Sequence, residues 1–176
     1  MGMYATFASL NEPRRSELER NSDAVVKAAA EAVNRDEDWV LDLGKNEMAI
    51  AAALRVYADG LAAGAASVCE IGQEVGTDLG YGRARYLRPD QVHEIAARLA
   101  EIEDAPFPLP DPDGYAPDPR LETDPRLQRV AHACELYGPD PDDRGQMDDL
   151  TARFEELRRH YRNSADRGDG MLLFIR

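Results

Sequence analysis

Two short apolar runs, "MYATFAS" at 3–9 and "MLLFIR" at 171–176, stand at opposite ends of a stretch patterned mostly for helices. This arrangement constrains the fold more than any other feature. The first run is close to alternating and rich in aromatic and small residues, as a strand requires. The second is apolar almost throughout, as a strand covered on both faces would be. Strands at both ends with helices between them imply an α+β fold, with the two terminal strands paired in one small mixed sheet packed by about five helices.

The intervening patterns supply those helices. In "NEPRRSELER", Asn11 is a candidate N-cap and Pro13 falls in the first turn. Val25, Val26, Ala29, Ala30 and Val33 recur at helical spacing over 23–33, with Ser22 or Asp23 as the cap. An extended piece at Trp39–Leu43 precedes a third helix whose apolar face would use Met48, Ile50, Ala51, Leu54 and Tyr57. "AASVCEIG" (65–72) and "RARYL" (83–87) read as further strands.

Pro89 opens a helix with the stripe Val92, Ile95, Ala96, Leu99 and Ile102, although Arg88 is a poor N-cap. A helix over 124–137 would turn Leu127, Val130, Cys134 and Tyr137 inward. The strongest pattern is Leu150, Phe154, Leu157 and Tyr161, capped by Asp148 or Asp149 and ended by Gly168 and Gly170. Residues 1–176 read as a single domain of ordinary size, with acidic Pro/Asp-rich surface loops at 104–120 and 138–147.

Charge narrows the partners. The formal net charge is −13, and residues 101–149 hold 14 acids against 4 bases. Such a chain repels phosphate backbones, so no nucleic acid is expected, and the acidic 101–149 segment would suit a basic protein. No apolar run reaches the roughly 18 residues that span a bilayer, and "MGMYATFASL" lacks the basic n-region of a signal peptide. The expectation is a cytoplasmic protein without membrane contact. Cys69 and Cys134 are far apart, and neither they nor His93, His132 and His160 have metal-ligand spacing. No metal and no cofactor are expected.

The most distinctive stretch is "GTDLGYGRARYLRP" at 76–89. Gly76, Gly80 and Gly82 can take positive φ, which lets backbone N–H groups converge on an anion. Tyr81, Arg83 and Arg85 would add contacts, and Asp78 or Glu74 could serve as acid–base groups. The run lacks the Lys-Ser/Thr of a P-loop, so a tight turn is the simpler reading. Asp42 and Lys45 form a polar pair by proximity. No serine has a nucleophile elbow, and no catalytic residue is assigned.

The opening "MGMYATF", the central "EVGTDLGYGRARYLRPDQV" and the closing "FEELRRHYRNSADRGDGMLLFI" resemble the YfbM-like family of uncharacterised bacterial proteins, a domain-of-unknown-function family. The most specific part is the core of Asp78, Leu79, Gly80, Tyr81, Gly82, Ala84, Arg85, Leu87 and Pro89. The resemblance implies a small α+β protein without a known cofactor, and it supplies no reaction. Relatives typically carry Asp-Leu-Asp-Lys followed by Trp-His and Leu-His on the next helix. Here Asp42, Leu43 and Lys45 are kept, whereas Gly44, Glu47, Met48 and Ala51 replace the others. A site built from those residues is missing from this chain.

The functional expectation is therefore a non-catalytic protein-interaction domain, inhibitor- or immunity-like, whose acidic segment covers a basic partner. Its alternative is an anionic-ligand-binding protein or hydrolase using the 76–88 turn.

Overall fold

A computed structural model describes residues 4–35, 37–44, 46–57, 71–102, 106–113 and 116–176. Its centre is an open five-stranded sheet. The strands are β1 (Ala5–Leu10), β2 (Val40–Gly44), β3 (Gln73–Asp78), β4 (Arg83–Leu87) and β5 (Gly170–Ile175), in the order β2-β1-β5-β4-β3. The two terminal strands pair along their whole length, from Ala5 opposite Ile175 to Leu10 opposite Gly170. Every pairing in this sheet is antiparallel, which corrects the expected mixed sheet.

The continuous apolar run of β5 follows from its place as the middle strand. Met171 and Leu173 face one layer of helices while Leu172 and Phe174 face another, so both pleats are buried. Helices α1 (Glu12–Arg20) and α2 (Ser22–Val33) cover the second face, with Leu18, Val25, Val26 and Ala29 packing on Ala8, Leu10 and Phe174. The other face carries α3 (Glu47–Tyr57), α4 (Pro89–Ala100), α5 (Pro125–Tyr137) and α6 (Arg144–Arg167). The described residues thus hold six α-helices, where about five were expected. Leu150, Phe154, Leu157 and Tyr161 of α6 are all buried, as their spacing requires.

Caps explain where the helices begin. Asn11 accepts from the Arg14 N–H at 3.2 Å. Asn21 both ends α1, through its N–H to Glu17 O at 2.7 Å, and starts α2 by accepting from the Ala24 N–H at 3.3 Å. It replaces Ser22 and Asp23 in that role. Asp23 is instead drawn to the sheet, where it accepts the Thr77 N–H at 2.7 Å. At α4 the backbone N–H of Arg88 donates to Gln91 Oε1 at 3.0 Å, a half capping box that offsets the poor cap residue. Asp143, not Asp148 or Asp149, caps α6 by accepting from the Gln146 N–H at 3.1 Å. The acidic loop therefore ends at 143 rather than 147, and Gly168 closes the helix at φ 67.

Met48 and Tyr137, expected on buried stripes, are exposed instead. Both lie at one end of the antiparallel α3/α5 pair, where Asn46, Tyr137, Gly138 and Pro139 line a surface hollow. The 106–120 excursion is also better packed than its composition implies. Phe107 is fully buried edge-on against Phe154, with ring centroids 5.8 Å apart, and Asp118 is only 3% exposed. Where β1 meets the end of α6, buried Ser9, Ser164 and Asp169 form a hydrogen-bonded network covered by the exposed Arg167, with Ser9 Oγ donating to Asp169 Oδ2 at 2.9 Å and Arg167 Nε donating to the same oxygen at 2.7 Å. The candidate strand at 65–72 lies outside the described residues up to position 70.

Candidate functional site

The glycine-rich stretch is the β3–β4 hairpin. Gly80 and Gly82 have φ of 96 and 102, so their N–H groups do converge as an anion-binding turn would require. The anion present is the chain's own. Asp78 Oδ1 accepts from Gly80 N–H at 2.7 Å and from Gly82 N–H at 3.0 Å. Arg85 is likewise engaged, donating to Gly72 O at 3.1 Å and to Glu74 Oε1 at 3.0 Å across the strand pair. Tyr81 and Arg83 are exposed. The hairpin thus gathers the five expected residues, but three are already engaged: Arg85 pairs with Glu74, and Asp78 takes the backbone N–H groups of Gly80 and Gly82.

Asp42 sits on the edge strand β2. It accepts the Gly44 N–H at 2.9 Å and is ion-paired with Arg176. Its expected partner Lys45 lies outside the described residues.

Beside Asp42 opens the larger of the described clefts, about 870 Å³, running between the outer edge of β2 and α6. Two ion pairs belong to its lining: Arg176 with Asp42, and Arg153 with Glu156 at 2.9 Å. Asn46 donates to Asp149 at 3.0 Å. His160 reaches this cleft from the rim of the α6 stripe. Its Nε2 is out of contact with solvent and has no hydrogen-bond partner. Burial, with the Arg167 charge nearby, pushes the imidazole down to about 4, against a smaller opposing pull from Asp169. The ring is therefore neutral at pH 7. Sequence reasoning passed over His160 because it lies one position outside the apolar stripe. The signal for its burial was the crowding of Leu157 and Tyr161 on either side.

A different surface forms where α5 ends and α6 begins. Pro139 and Pro141 are buried and pin the loop between them, leaving Asp140, Asp142 and Asp143 exposed. The loop is tied internally: Asp140 N–H donates to Gln146 Oε1 and Asp142 N–H to Asp140 Oδ1, each at 3.0 Å. Next to it Leu136 is 65% exposed and Tyr137 42%. Tyr137, Gly138 and Pro139 share a hollow of about 420 Å³ with Asn46 and Asp149, and a second hollow of about 420 Å³ is lined by Asp113, Asp140, Asp142 and Asp143. Carboxylates therefore rim an exposed apolar step.

The remaining reactive groups have structural surroundings. Cys134 is buried and its thiol is pushed up to about 11, mainly by that burial. Tyr57 Oη donates to Asp124 at 3.2 Å, and burial together with that carboxylate pushes the phenol up to about 12. His93 is exposed, and His132 lies 3.4 Å from Glu135 on the surface of α5. Among the described residues no helix is long and apolar enough to cross a membrane, and no three His, Cys, Asp or Glu residues converge as metal ligands.

Comparison with known proteins gives one match. The model of a family described as a domain of unknown function, DUF1877, covers residues 1–107, from β1 through α4 and the start of the excursion. No curated protein and no solved structure matches the chain.

Proposed function

From the premise that this chain belongs to the DUF1877 family, whose description assigns no activity, we propose that it is a protein-interaction domain that docks a basic partner. The YfbM-like likeness and a cytoplasmic site of action are part of the same reading. One observation carries it: the acidic loop 138–143 is tied by its own hydrogen bonds and buried prolines, directly beside exposed Leu136 and Tyr137. An aromatic anchor with a charged, pre-ordered rim is what a protein partner uses, because little entropy is lost on binding and complementary charge speeds encounter. An inhibitor- or immunity-like role, covering a basic surface of another protein, fits this arrangement.

The anionic-ligand alternative has less support. The hairpin N–H groups are already filled by Asp78, and Arg85 is committed to Glu74 and Gly72.

The test is affinity capture from cell extract with the wild-type chain, with Tyr137→Ser, and with the triple variant Asp140→Asn, Asp142→Asn, Asp143→Asn. Asparagine preserves the cap at 143, so folding is retained. A basic protein should be captured by the wild type and lost in both variants, and its association should slow as salt rises. Capture that is indifferent to both variants would refute this surface.

A further inference from the structure

We propose that the hollow between α1, α2 and Trp39 binds a small apolar carboxylate, a molecule with a short hydrocarbon body and one anionic head. The hollow lies on the α1/α2 face of the sheet and shares no residue with the docking surface, which belongs to the helices of the opposite face. The two readings therefore stand or fall separately.

The argument starts from Trp39, which is fixed in place. Its carbonyl accepts the Ser9 N–H at 2.8 Å, and its indole N–H donates to Glu37 Oε2 at 2.6 Å. The half-buried ring forms one wall of the hollow, and half-buried Arg14 lies over it with the guanidinium carbon 4.0 Å from the ring centroid. That single distance sets a cation and an aromatic face side by side at one hollow. Buried Val25, with Ala24 and Ala28 of α2 and Pro13 of α1, completes the apolar lining. The two alanines stand four positions apart on one helix face, and their short side chains leave the space open.

What Arg14 lacks is an anion. A guanidinium carries five N–H donors, and stacking on a ring engages its face rather than those donors. Among the described residues none of them meets an acceptor. The neighbouring acids are committed elsewhere: Glu12 to Arg15, Glu17 to Arg20 at 2.8 Å, and Glu37 to the indole.

These surroundings specify the ligand. Arg14 complements a carboxylate, for which its planar fork is suited. The alanine, valine, proline and indole walls offer a hydrocarbon body contact and few hydrogen bonds. An alcohol would leave the guanidinium unanswered, an amine would be repelled by it, and acetate would leave the walls uncovered. The volume, about 250 Å³, falls just below the usual span of drug-sized clefts, which limits the body to a short one. The net charge of −13 does not bar an anion, since charges more than about 8 Å away are largely screened at physiological ionic strength.

Trp39 is the one tryptophan of the chain, so its emission reports on this hollow alone. The full chain is titrated with hexanoate and with phenylacetate to about 10 mM, which saturates any site with a Kd near 1 mM. Acetate, 1-hexanol and hexylamine are the controls. At least one of the two carboxylates should change the emission saturably, acetate and hexylamine should not, and 1-hexanol should bind about tenfold more weakly, the loss of one charge-assisted contact. Arg14→Gln should bring the carboxylate down to the level of the alcohol. Ala28→Leu fills the hollow with a good helix former at an exposed position, so binding should be lost while the melting temperature holds. The proposal is overturned if neither carboxylate gives a saturable change, if 1-hexanol or hexylamine binds as tightly as hexanoate, or if either variant binds like the wild type.

Discussion

Replacing Asp118 by alanine tests how the 106–120 excursion is held. Its carboxylate accepts the Leu109 N–H and the Arg120 N–H, each at 2.8 Å, and it takes a forked contact from the Arg120 guanidinium, with Nη2 at 2.7 Å. Arg120 also reaches Phe107 O at 3.0 Å, which ties the buried aromatic to the same point. Backbone bonds to a charged acceptor are worth about 1.5 kcal/mol or more each. The ion pair adds at most about 1 kcal/mol, because the Arg120 side chain is 43% exposed and the pair is screened. Truncation should therefore cost about 3 kcal/mol, since two N–H groups lose their acceptor. For a chain of this length that corresponds to a melting temperature lower by about 6–12 °C.

The assay is thermal unfolding with amide exchange at Leu109. Asp118→Asn, which keeps an acceptor but not the charge, should fall between wild type and alanine. The pH dependence has a definite sign. Burial raises the pKa of Asp118, but its bonds to Arg120 and to the Leu109 N–H outweigh that and hold it below the ordinary carboxylate range. Its contribution is thus fully present above the unfolded value, near pH 4, and is lost as the pH falls through the lower folded value. The gap between wild type and Asp118→Ala should be constant at neutral pH and close only in acid. A variant melting within about 2 °C of wild type, with Leu109 equally protected, would refute this account of the loop.

Two further outcomes follow from the packing. Gly170→Ala places a Cβ 2.7 Å from Tyr86 Cε2 and 3.0 Å from Leu87 O, so urea unfolding should show a loss of about 1–3 kcal/mol. Adding Tyr86→Ala should make the Gly170 substitution less costly than it is alone, which a double-mutant cycle would read. His160 should titrate near pH 4 by NMR. Because that value is below the unfolded one of about 6.5, stability should fall as the pH drops from about 6.5 to 4 and then level off. A His160 titration near 6.5 would show that the ring is solvated.

Much of the architecture was legible in the chain. The α6 stripe, the Asn11 cap, the Gly168 stop and the two terminal strands are written locally, because helical and strand periodicities and caps depend on neighbours a few positions away. The α+β class and the pairing of the end strands followed from those patterns. Strand β3 was not legible: it is largely exposed and bulged near Gly76, where φ is 72, and no alternation marks it. The exposure of Met48 and Tyr137 was hidden as well, since a helical stripe does not say where the neighbouring layer stops.

Tertiary structure alone decided the sites. Glycine spacing at 76–82 showed that N–H groups could converge, but only the folded hairpin showed that Asp78 fills them. Asp118 and His160 look like ordinary polar residues in the chain. They acquire their properties from the fold, which brings the Leu109 N–H and the Arg120 guanidinium onto Asp118 and buries the His160 ring. Burial and hydrogen-bond satisfaction are sums over spatial neighbours, and the sequence lists neighbours only along the backbone. Local pattern therefore determined the elements of this protein, and long-range packing determined which of its polar groups are left without a partner.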